Sequence, residues 1–147
     1  MYSPELNLHI MENQYLCPQC RGHLRVGEYI VFKIRNKRKE QGLLLLHPEV
    51  GNYTSIKHPK FRFEQGERVD FYCPICMQSL DADLDANLVH VLMIDEHKSE
   101  HKIYFSRIAG EQSTYQVSDK GITACGEHSH RYTIFKFPDK LIKYLHN

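Results

Sequence analysis

The sequence predicts a mainly β protein of antiparallel strands, closed by a short C-terminal helix. Three observations carry this. The apolar residues of the 147-residue chain fall in runs of three to seven that are rich in Val, Ile, Tyr and Phe, the length and composition of strands. Glycines and prolines (Gly27, Gly42, Pro48, Gly51, Pro59, Gly66) separate those runs, as turns require. Only the end of the chain combines a proline at a plausible helix start with apolar residues at helical spacing.

In chain order, strands are expected at 29–34 (YIVFKI), 43–46 (LLLL), 61–63 (FRF) and 69–72 (VDFY). A second set follows at 88–94, 103–105, 114–117, 121–124 and 132–137, and reads as an antiparallel meander. The helix is expected over 138–145. Residues 36–41 are polar throughout and form an exposed hairpin tip with solvated charge. Between Leu80 and Leu88, apolar spacing allows a helix while alternating aspartates at 81, 83 and 85 allow a loop. The arrangement divides into a β region at 1–80 and a small antiparallel region at 81–147, alternatively one continuous domain. No repeat of 20 to 50 residues stands out, although CPxC occurs twice.

Bulk charge offers no functional clue. Nineteen basic and eighteen acidic side chains leave a net charge of +1, so no global field favours nucleic acid or a membrane surface. No run approaches the roughly 18 apolar residues of a membrane span. The first 16 residues lack the basic start and apolar core of a secretory signal. The expectation is a cytoplasmic protein whose five cysteines stay reduced.

The cysteines carry the clearest chemistry. Cys17-Pro18-Gln19-Cys20 and Cys73-Pro74-Ile75-Cys76 each place two thiols on a tight turn, half of the tetrahedron that zinc prefers. In these motifs the chain resembles the zinc-ribbon superfamily, in which two such knuckles on β-hairpins share one metal, over about residues 15 to 80. The resemblance implies one structural Zn2+ on Cys17, Cys20, Cys73 and Cys76, with an inserted β-hairpin region that brings the knuckles together across the 52 residues between them. A closed four-cysteine site leaves no position for substrate. A rival reading takes CPxC as a redox dithiol, as in glutaredoxin-like proteins. That chemistry needs a helix directly after the first cysteine, and Arg21-Gly22-His23 does not read as one.

Other clusters are weaker. Cys125, His128 and His130 offer three metal ligands in six residues if Gly126 bends the chain, against the plainer reading of a free cysteine ending a strand before a polar turn. Residues 95–101 are ligand-rich but fall where a hairpin loop is expected. Asp81, Asp83 and Asp85 imitate a calcium loop that then lacks its glycine and its glutamate. Residues 21–40 carry a local charge of +5, and residues 81–101 carry −5. Lys33, Arg35, Lys37, Arg38 and Lys39, near Tyr29 and Phe32, form a basic stripe able to contact phosphates.

No nucleophile elbow, phosphate loop, HExxH or zinc-deaminase signature is present. The expected function is a noncatalytic binding or adaptor protein that contacts RNA, a ribosome or a nucleic-acid machine through the basic hairpin. The alternatives are a protein-interaction or regulatory module using its polarised surface, and a metalloenzyme using the Cys125 cluster.

Overall fold

The computed structural model describes residues 13–132 and shows antiparallel β structure almost throughout. The strands are β1 (Gln14–Leu16), β2 (Arg25–Val26), β3 (Tyr29–Arg35), β4 (Gln41–Leu46), β5 (Ser55–Lys57), β6 (Asp70–Tyr72), β7 (Leu88–Ile94), β8 (Glu100–Ser106), β9 (Thr114–Ser118) and β10 (Gly121–Cys125). One sheet runs β1-β7-β8-β9-β10. The other runs β2-β3-β4-β5, with β6 also paired to β3. Among the described residues the only helical element is a single 3-10 turn, Ser129–Arg131. The helix expected over 138–145, and most of the strand expected over 132–137, lie outside the described residues; Tyr132 itself is not in a strand.

Several sequence expectations differ in instructive ways. Residues 61–63 form no strand, because Phe61 turns inward beside Gly42 and is held by a turn bond to His58. The ambiguous 80–88 segment is a loop: Asp81 bridges Val89, and the Asp85 carbonyl accepts from the Leu88 amide at 3.1 Å. β1, β2 and β5 are two or three residues long, too short for any alternation to register.

The structure also reveals a repeat that the sequence hides. Residues 14–24 superpose in pattern on 70–80, and 29–57 on 88–116, with a loop three residues longer in the second copy. β1 pairs with β7 as Gln14↔Ile94, Tyr15↔Met93 and Leu16↔Leu92, while β6 pairs with β3 as Asp70↔Arg35, Phe71↔Ile34 and Tyr72↔Lys33. Each repeat thus lends its first strand to the sheet of the other. The bond Val31 N–H to Leu24 O recurs as His90 N–H to Leu80 O, both 2.8 Å. Left-handed residues recur in step: Arg21 and Met77, Lys39 and Lys98, Gly51 and Gly110. Only six aligned residues are identical (Cys17/Cys73, Pro18/Pro74, Cys20/Cys76, Leu24/Leu80, Lys39/Lys98, Gly51/Gly110), which is why the duplication passes for a local coincidence of CPxC. A division near residue 80 falls inside the second repeat, just after its knuckle.

The core lies between the sheets and is built from equivalent inward positions: Tyr15 and Phe71, Ile30 and Val89, Phe32 and Val91, Ile34 and Met93, Leu44 and Ile103. Phe32, Phe71 and Phe105 meet edge to face, with centroids 5.4 to 5.6 Å apart.

Candidate metal centre

Each knuckle is a turn that follows directly from a core strand, and the strand exchange brings the two face to face. In the first, the Arg21 amide donates to Cys17 O at 2.9 Å and the Cys17 amide to Gly22 O at 3.0 Å. In the second, Met77 donates to Cys73 O at 2.9 Å and Cys73 to Gln78 O at 3.0 Å. The turn closes only if its fifth residue is left-handed, at φ 59° for Arg21 and 66° for Met77. This geometry frees backbone amides to donate to sulfur: Gln19 to Cys17 Sγ, Gly22 to Cys20 Sγ and Ile75 to Cys73 Sγ, each at 3.3 Å. No helix follows either motif, so the redox reading lacks its structural requirement.

The four sulfurs all lie within 4.8 Å of one another. Cys17 Sγ is 3.8 Å from Cys76 Sγ, and Cys20 Sγ is 3.8 Å from Cys73 Sγ. A tetrahedral thiolate site with metal–sulfur bonds of about 2.3 Å has sulfur–sulfur edges of about 3.8 Å, whereas a disulfide needs about 2.05 Å. The arrangement therefore fits one metal ion held by all four cysteines. Cys17 and Cys73 are buried, Cys76 is half-buried and Cys20 is exposed. Burial pushes the Cys17 thiol up to about 12 and raises Cys73, while a backbone bond at Gln78 lowers Cys76. Four thiolates cannot share this space without a cation to offset their charge.

The structure does not bring the second cluster together. Among the described residues, the four knuckle cysteines are the one group of three or more such side chains at coordinating distance. Cys125 ends β10 beside Gly51, and Gly126 does bend the chain at φ 101°. His128 is spent on structure: its Nδ1 accepts from the Gln112 amide at 2.9 Å. The 95–101 segment is the hairpin turn expected of it. The Asp95 carboxylate accepts from the His97 and Ser99 amides at 2.9 and 2.8 Å.

The basic stripe is largely neutralised from within. Arg35 pairs with Asp70 at 3.0 Å, Lys37 with Glu64 at 3.0 Å and Arg38 with Glu40 at 3.1 Å. Lys33 and Lys39 have no carboxylate partner among the described residues, and Lys33 and Arg35 lie over the Tyr72 ring at 5.8 and 5.4 Å. The tip is also less loose than its polarity implies. Asn36 is 2% exposed, and its amide bonds Glu40 and the Arg62 carbonyl.

Sequence reasoning overlooked the outer face of the second sheet. There Leu43 is 53% and Ile56 47% exposed; the knuckle residues Ile75 and Met77 stand at 57% and 56%, with Met77 Sδ 3.9 Å from Lys33 Nζ on the same face. A signal was present, since a strand cannot bury four consecutive leucines on one face, so two of 43–46 had to point outward. No helix among the described residues is long and apolar enough to cross a membrane. Neither a protein-family model, nor a curated protein, nor a solved structure matches the chain.

Proposed function

We propose that this is a noncatalytic protein-interaction module in which one structural Zn2+ fastens the two repeats. The observation that carries the metal is the sulfur–sulfur edge of 3.8 Å on a closed set of four thiols, and an all-cysteine tetrahedron is the preference of zinc. Such a site has no open coordination position and does no Lewis-acid chemistry. Five free cysteines suit a reducing compartment such as the cytoplasm.

The contact surface we assign is the outer face of β3, β4 and β5 with the second knuckle. The equivalent face of the other repeat is buried, with Tyr115 standing at 1% exposure where the first repeat has Ile56 at 47%. Exposed apolar groups rimmed by Lys33 and Lys39 fit a protein partner that presents apolar side chains and carboxylates. A second reading, single-stranded RNA or a ribosomal surface, is favoured by the cations over Tyr72.

Metal analysis of purified protein should return one zinc per chain. Leu43→Asp/Ile56→Asp should keep the zinc and the fold yet lose the partner cross-links that the unaltered protein forms in its native cell. Unchanged cross-links in that variant would reject the face. Retention on RNA that falls steeply with salt and is lost in Lys33→Ala/Tyr72→Ala would favour the RNA reading.

A further inference from the structure

A cavity of about 270 Å3 opens between the two sheets, lined by equivalent residues of both repeats: Tyr15 with Phe71, Phe32 with Val91, Leu46 with Phe105. Two equivalent loops, 47–53 and 106–112, frame its mouth. Packed cores leave few voids, and an apolar gap of this size would ordinarily collapse. Here the rim is held apart. The Tyr15 hydroxyl donates to the Pro48 carbonyl. The Tyr53 hydroxyl lies 2.8 Å from Thr114 Oγ1 and 3.2 Å from the Cys125 carbonyl oxygen. At the end of the second loop, Gln112 exchanges two bonds with His128, its amide to Nδ1 and its carbonyl to the His128 amide, each at 2.9 Å. Glu111 is tied to Arg131 at 3.0 Å and to the Tyr132 hydroxyl. The segment that carries Cys125 and His128 therefore acts as a brace for the mouth.

The lining also restricts what could enter. Its charged groups are already compensated or solvated: Arg107 by Asp70 and Asp81, Glu111 by Arg131, and Glu49 by exposure. An ionised ligand finds no counter-charge. Arg107 is 7% exposed, its terminal nitrogens are held by Asp81 and Asp70, and its Nε is buried out of reach of an entering ligand.

We infer that this cavity binds a small uncharged aromatic or alkyl compound. The volume sits at the lower end of small-molecule pockets, and the boundary between two structural units is where such pockets concentrate. This site is separate from the outer face assigned above.

The test is titration of the zinc-loaded full chain with prodan, a neutral naphthyl ketone whose emission shifts to the blue in apolar surroundings. One saturable equivalent is expected. Val50→Trp at the mouth should weaken binding at least tenfold, while Leu43→Asp on the outer face should leave it unchanged. Anionic anilinonaphthalene sulfonate should bind at least tenfold more weakly than prodan, and naphthalene, uncharged and without a polar group, should displace prodan competitively. Absence of a saturable shift, or loss in Leu43→Asp with retention in Val50→Trp, would overturn the site. Failure of naphthalene to displace prodan would overturn the apolar class of ligand. Should Val50→Trp fail to fold, methyl resonances of the unaltered protein decide: shifts at Val50, Val91 and Ile103 support the cavity, and shifts confined to Leu43 and Ile56 reject it.

Discussion

Ile56 and Tyr115 occupy the same place in two copies of one motif, each the second residue of a third strand that pairs antiparallel with the second strand of its hairpin. Their surroundings could hardly differ more. Tyr115 is packed with Ala82, Leu88, Tyr104, Val117 and Tyr132, because the longer 82–88 loop and the chain beyond β9 fold back over that face. Ile56 faces outward at 47% exposure. The strands record the difference: β3 alternates buried and half-buried along its length, whereas β7 is buried on both faces over most of its seven residues. The repeat supplies a common frame of knuckle, hairpin and core, and material added to one copy decides which sheet face stays available.

If the frame is shared, its most sensitive part should respond alike in both copies. Cys17→Ser and Cys73→Ser should each abolish metal binding and, with it, stabilisation on the order of 10 kcal/mol, the scale for structural zinc in zinc-finger peptides. Chelation should do the same, read as loss of near-ultraviolet circular dichroism together with released metal. A large inequality between the two variants would break the equivalence of the knuckles.

The covered and bare faces should then part company. Tyr115→Ala should cost about 3–5 kcal/mol in denaturant unfolding, the range for large-to-small changes in a core. Ile56→Ala at the matching position should stay within about 0.5 kcal/mol. Comparable losses would mean that the first repeat's outer face is covered in solution.

The two hairpin tips offer a subtler contrast. Asn36 and Asp95 both accept two backbone N–H bonds, but Asn36 also donates its amide to Glu40 and to the Arg62 carbonyl. Asn36→Asp removes those donors and sets two carboxylates side by side, so a loss of roughly 2–3 kcal/mol is expected. Asp95→Asn keeps an oxygen for the two amides but loses the carboxylate that bonds His101, so a smaller loss is expected at neutral pH. That deficit should shrink in acid. The bond from His101, then the Ser99 amide, holds the Asp95 carboxyl below its ordinary value of 3.8. The contribution of Asp95 is therefore present above that value and fades as pH falls through the lower folded one. Amide exchange at Ser99, compared between Asp95→Asn and the unaltered protein on either side of that window, would read it.

How much of this was legible depended on whether the signal was local. β3, β4, β6 and the later strands β7 to β10 announced themselves through apolar runs bounded by turn residues, and β7 at 88–94 matches its expected limits. The knuckles were legible because metal coordination fixes both residue type and spacing. The repeat was not, since a hydrogen-bond register specifies backbone positions and leaves side chains free to drift: Lys33 answers to Leu92, and Leu45 to Tyr104. The charge stripe was visible as composition but its neutralisation was not, since Asp70 and Glu64 lie some thirty residues along the chain from the cations they meet.

By itself, then, the sequence determined the class of the fold and the chemistry of the metal site, because strand periodicity and ligand spacing are properties of neighbouring residues. Only the tertiary structure decided that the two knuckles belong to exchanged repeats, that a braced cavity separates the sheets, and that one apolar face is covered while its twin is bare. Those are outcomes of which distant segments reach each surface, and no short stretch of chain encodes them.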